Sequence, residues 1–179
     1  MRYIFTCCLM LFGAAAQASC PENPNITAQL DREYVSLRFA KFEADAELIT
    51  QRLWSLWFQA PDDKAQDLLV RGMGRMRAGD LAQADIILSQ LITYCPNYAE
   101  GYNQRAFARY LSRDFDAALP DLERALEILP RHLGAISGKG LTLKALGFEE
   151  LADVEFRKAR DLNPWTPERD MIQDQSTDL

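Results

Sequence analysis

Three prolines recur at one interval in this chain. Pro96 in TYCPNYAE, Pro130 in EILPRHLG and Pro164 in DLNPWTPE each follow the last by 34 residues. Twelve residues before them stand Ala84, Ala118 and Ala152. Four residues beyond each alanine come Leu88, Leu122 and Phe156, and twelve before each come Gly72, Ala106 and Gly140. Separate columns that share one period mark stacked supersecondary units, none of which can bury its apolar face alone. Each unit reads as two helices. Lys64 to Arg77 has helical spacing, Gly79-Asp80 interrupts it, and Leu81 to Tyr94 resumes it. The second unit breaks at Ser112-Arg113-Asp114 and the third at Gly147. Each proline ends a second helix, because it cannot continue one. Small residues let the two helices of a unit approach closely against the alanine column. The larger Leu and Phe are expected to fill the space between neighbouring units.

On these residues the chain resembles the tetratricopeptide-repeat (TPR) family over about residues 65–166, and within it the small exported TPR proteins of Gram-negative bacteria. The bulky aromatic of the fourth place is kept only as Tyr102; Leu68 and Ile136 replace it in the outer units. The resemblance implies an all-α solenoid of three helix-turn-helix repeats (65–98, 99–132 and 133–166) with a groove lined by the first helices. The groove places it implies are Leu69, Met73 and Met76 in the first unit, and Asn103, Phe107 and Tyr110 in the second. In the third they are Ser137, Leu141 and Lys144. Methionine adapts to irregular partners, and Phe107 and Tyr110 are rigid anchors of the kind found at binding hot spots. Asn103 could hold a peptide backbone. Met73 is expected to lie partly in core and Tyr110 to be exposed. Arg77 and Lys144 sit too late in their helices for a clamp on terminal carboxylates.

The flanks are different. Helical patterns run from about Ile26 to Phe39 and from Phe42 to Gln59, ended by Pro61. Residues 19–64 are read as a capping helix pair, or as a worn fourth unit in which Trp54 falls in the Leu/Phe column. Trp54 and Trp57 are read as core in preference to an aromatic ligand platform. Residues 167–179 are too short and polar for another unit and read as a partial cap with a tail.

Residues 1–18, MRYIFTCCLMLFGAAAQA, carry Arg2, an apolar run without an acid, and a closing A-x-A. This is a secretory signal pattern, too short for a membrane span. An uncleaved anchor is the alternative. Export to a periplasm is expected, with no span in the mature chain. Cys7 and Cys8 leave with the signal, so Cys20 and Cys95 form the candidate disulfide of an oxidising compartment. Lipidation at Cys20 and two free thiols are the rivals; Gln17 stands where a lipoprotein signal usually has Leu. The net charge of -6, spread along the chain, argues against nucleic acid as a partner.

GAISGKG at residues 134–140 invites comparison with a phosphate-binding loop. A Walker loop needs four residues between its glycines and a hydroxyl after the lysine. Here three separate Gly134 from Gly138, and Gly140 follows Lys139. The repeat places the stretch inside the first helix of the third unit. The one histidine, His132, is read as a solvated loop residue, and Glu149, Glu150 and Asp153 as a solvated helix face. With no catalytic cluster, the expectation is no enzyme, no metal, no cofactor and no small-molecule substrate. The chain reads as an interaction module that binds an apolar peptide or amphipathic helix in its groove. The alternative is a structural subunit of a homo-oligomer or cell-envelope complex.

Overall fold

The computed structural model describes residues 19–173. The signal pattern at 1–18 and the last tail residues, 174–179, lie outside them. Eight α-helices follow in order: α1 (Thr27–Phe39), α2 (Glu43–Trp57), α3 (Asp63–Arg77), α4 (Leu81–Tyr94), α5 (Ala99–Leu111), α6 (Phe115–Ile128), α7 (Leu133–Ala145) and α8 (Glu149–Leu162). A 3-10 turn, Pro167–Met171, closes the described chain. No strand occurs among the described residues.

Local chemistry sets the helix ends. Asp62, Asp80 and Asp114 cap α3, α4 and α6, each accepting the backbone N–H three residues on. Asp62 also accepts the Tyr94 hydroxyl at 2.6 Å. That bond, then the Ala65 N–H, holds its carboxyl below the ordinary carboxylate value. Gly79, Arg113 and Gly147, one per unit and 34 residues apart, all take the left-handed conformation, with φ of 77°, 62° and 84°. Each is followed by an N–H that reaches back over the last turn: Asp80 to Arg75, Asp114 to Arg109 and Phe148 to Leu143. These are three Schellman closures, and they turn each first helix into its second.

The repeat columns pack within each unit. A Cβ on Gly72 would come within 2.7 Å of Leu88, and one on Gly140 within 2.4 Å of Phe156. The Leu/Phe column therefore lies over the small column of its own unit, not only between units as the spacing suggested. The reason is steric: the bulky side chain of the second helix needs an empty place opposite it before the pair can close.

Charge ties successive units. Arg105 makes a bidentate contact with Asp121 at 2.6 and 2.8 Å and reaches back to Ser89 at 3.0 Å. Its counterpart one period later is Lys139, which lies 3.5 Å from Glu155 of its own unit and from Glu123 of the unit before. Arg109 adds Asp85 and Asp121. The lysine of GAISGKG is thus an inter-unit cation on α7. Asp153 is also buried, contrary to the solvated face expected, because it accepts the N–H of Gln173 from the returning tail.

The α1–α2 pair does not stack ahead of α3. The register that puts Trp54 in the large column would put Arg38 in the small column and Thr50 in the alanine column. Neither permits the close approach that the unit requires. The pair instead covers the side of the solenoid where α7 begins and α8 ends. Leu30, Tyr34, Leu37, Ile49, Leu53 and Trp57 form one cluster with Leu133, Ile136 and Ala159. The Tyr34 hydroxyl donates to the Arg131 carbonyl. The segment before α1 is fastened at its start, since Cys20 and Cys95 are joined in a disulfide. Cys95 is the buried C-cap residue of α4.

Candidate functional site: the inner cavity

The inner faces of α3, α5 and α7 enclose a cavity of about 650 Å³, and α2 walls one side of it. Met73 and Met76 come from α3; Asn103, Phe107, Tyr110 and Leu111 come from α5; Ser137 and Leu141 come from α7. Phe107 and Leu111 remain 50% and 44% exposed. Large apolar side chains are thus left open inside a concave wall. Met73 is half-buried against the first unit's core. Tyr110 is also half-buried, with its ring 5.3 Å from that of Phe115.

Seven of the nine expected groove residues meet at this cavity. Two do not. Leu69 is fully buried in the first unit's core, where Phe58 and Ala60, just beyond α2, pack over the cluster. Lys144 lies outside the cavity lining and sits 3.5 Å from Glu149 across the turn to α8. Asn103 lines the cavity, but it is buried and its amide donates to Glu100 at 3.2 Å. Its amide is thus engaged within the protein itself.

The α2 residues were not expected here. Trp54 lines the cavity, half-buried, with its ring against α7, and Phe58 lies 5.5 Å from it. Gly134 receives Trp54: a Cβ there would come within 2.6 Å of the indole Cη2. Gly138 leaves room for Leu122 of the preceding unit, at 3.0 Å. The small residues of GAISGKG therefore seat side chains of this same chain.

His132 corrects the expectation of a solvated loop residue. It has no exposed surface. Its Nδ1 accepts the Ala135 N–H at 3.2 Å and so caps α7. Nε2 lies 2.7 Å from Glu100 Oε2. Since Nδ1 accepts, a neutral ring carries its hydrogen on Nε2 and donates it to Glu100. Trp57 stacks on the imidazole at 4.4 Å, and Tyr98 donates its hydroxyl to the Trp57 carbonyl at 2.8 Å. Glu100 also accepts from Gln104. The carboxylate thus has three donors around it and no solvent, which holds it as an acceptor within the fold. Histidine is uncommon as a helix cap, so the sequence signal for this role was weak.

No family model matches the chain. It is similar to a TPR repeat-containing protein of Rhizobium etli, 32% identical over 77 residues, covering 43% of this chain and 38% of that protein. It is similar to human tetratricopeptide repeat protein 36, 32% identical over 118 residues, covering 64% of this chain and 62% of that one. The chain thus spans less than two thirds of either relative's length. Among solved structures it is similar to the first TPR of Spaghetti (RPAP3) bound to the HSP90 peptide SRMEEVD, with a TM-score of 0.59 and 22% identity. That match covers 60% of this chain and 86% of the other. MamA matches at a TM-score of 0.54 and 20% identity, over 68% of this chain and 71% of the other. The chain has the fold of tetratricopeptide-repeat solenoids.

Within this TPR solenoid the inner wall is mainly apolar. The charged residues that line it are Arg77 and Glu168. Among the described residues, no three His, Cys, Asp or Glu side chains come together as metal ligands, and no helix is long and apolar enough to cross a membrane. The cavity can exclude water from a hydrophobic segment, with a few fixed amides to orient it.

Proposed function

We propose that this TPR protein is an exported, non-enzymatic interaction module whose cavity takes an apolar peptide or one face of an amphipathic helix. The observation that carries this reading is the pair Phe107 and Leu111, half-exposed on a concave wall beside Met73 and Met76. An extended segment or a helix face buries such anchors by the usual helix-in-groove or strand modes. The buried polar groups beside the cavity are engaged with one another: His132, Asn103 and Gln104 all serve Glu100. That leaves packing as the main source of affinity. Export is supported by the signal pattern at 1–18 and is compatible with the Cys20–Cys95 disulfide.

The test is a photo-crosslinking amino acid at Tyr110 in the exported protein in its own cells. Asp116, exposed on α6, is the control. A discrete adduct at Tyr110 and none at Asp116 supports the reading, and mass spectrometry identifies the partner. An adduct at Asp116 alone moves the working face to the second helices and overturns it.

A further inference from the structure

Four places on the first helix of each unit face the unit before. In the second and third units they are held by Gly101 and Ala135, Gln104 and Gly138, Arg105 and Lys139, and Ala108 and Thr142. All these places are covered. Ala135, Ala108 and Thr142 are buried, a side chain on Gly101 would meet Leu91, and one on Gly138 would meet Leu122. The two cations reach back to Ser89 and Glu123 of the preceding unit. The first unit carries Asp67, Val70, Arg71 and Gly74 in the same places. Val70 is 53% exposed, the Asp67 and Arg71 side chains 61% and 56%, and a Cβ on Gly74 would meet nothing within 4 Å. A helix face built to receive a neighbour is bare, because α1–α2 lies against the third unit and across the inner side of the solenoid instead of ahead of α3.

We infer that this face of α3 is the contact surface of a twofold homodimer. Asp67 and Arg71 lie one turn apart, paired with each other at 3.1 Å with both side chains more than half exposed, where such a pair contributes little. Two α3 helices laid antiparallel across a twofold axis set each Asp67 opposite the other copy's Arg71. Val70 then lies beside the axis, and Gly74 lets the backbones close. One patch supplies both halves of the contact, as an isologous interface requires. Head-to-tail stacking is blocked at the other end. There Ile172 packs on the Leu143–Phe156 cluster, and Gln173 is bonded to both Asp153 and Arg157. An open filament would have to strip this tail away; a closed dimer does not.

Sedimentation of the oxidised chain from residue 19 onward, over a concentration series, tests this. A reversible dimer is expected by about 100 µM, the range of a small transient interface. Val70→Glu weakens association at least tenfold. Asp67→Arg and Arg71→Asp each weaken it, and the two combined restore it, since the reversed charges face each other again. These side chains are exposed, so an unchanged melting curve certifies the fold of each variant. A chain that stays monomeric overturns the inference. So does a dimer indifferent to Val70→Glu, or a double reversal no better than the single ones. The Tyr110 adduct is indifferent to Val70→Glu, so failure here is distinct from failure of the cavity reading.

Discussion

The imidazole of His132 donates to the carboxylate of Glu100 across 2.7 Å, and neither side chain reaches solvent. The pair joins the start of α7 to the first turn of α5, and Trp57 of α2 is stacked on it. One contact thus fastens two repeat units and the N-terminal pair. His132→Ala leaves a buried carboxylate short of a donor and removes the α7 cap. The expected loss is about 3 kcal/mol in urea unfolding, with Trp57 fluorescence shifting to the red. A loss under about 1 kcal/mol would show that Glu100 finds a substitute donor.

Gly134 and Trp54 are mutually exclusive with a larger side chain. Gly134→Ala forces a methyl to within 2.6 Å of the indole ring. Overpacking of this kind costs about 1–3 kcal/mol. In a Trp54→Leu background the same substitution becomes neutral or stabilising, because alanine is the better helix former. Thermal melts of the two single variants and the double variant measure the coupling; simple additivity would refute it.

The disulfide closes a span of 75 residues. Replacing both cysteines with serine is expected to cost about 4–5 kcal/mol in the chain-entropy description. It also frees residues 19–25 from the end of α4. Comparing melts with and without reductant, together with proteolysis ahead of Thr27, reads both effects.

Burial raises the ionisation of Tyr34 and Tyr98 well above the ordinary tyrosine value. A folded-state value that is raised contributes stability fully present below the unfolded value and lost as pH rises past it. Stability should therefore hold up to about pH 10, the ordinary tyrosine range, and fall above it. Tyr98→Phe should flatten that fall in urea titrations run at successive alkaline pH values.

Arg113 is the non-glycine member of the left-handed column. Arg113→Gly should raise stability by about 1 kcal/mol, since glycine enters that region without a Cβ clash. A melt unchanged or lowered would mean that the Arg113 side chain contributes more than its backbone costs.

The 34-residue columns were legible in the sequence because each encodes a local steric demand. An empty place at Gly72 or Gly140 must face a bulky Leu88 or Phe156, and a left-handed residue must end each first helix. Phe107, Tyr110, Met73 and Met76 were legible as cavity residues for the same reason, since repeat position sets the face. The positions that misled depend on where the α1–α2 pair lies. Leu69 is sealed and Trp54 becomes cavity wall because α2 and the residues after it fold across the inner side. His132 is buried because Trp57 covers it.

Periodicity and turn chemistry act over a few residues, so the sequence by itself determined the units, their helix ends and their inner face. Docking of the N-terminal pair was decided only by the tertiary structure. It rests on contacts between residues about a hundred apart, such as Tyr34 with Arg131. No local pattern specifies those contacts, because apolar surface is attracted to whichever complementary surface the finished solenoid presents.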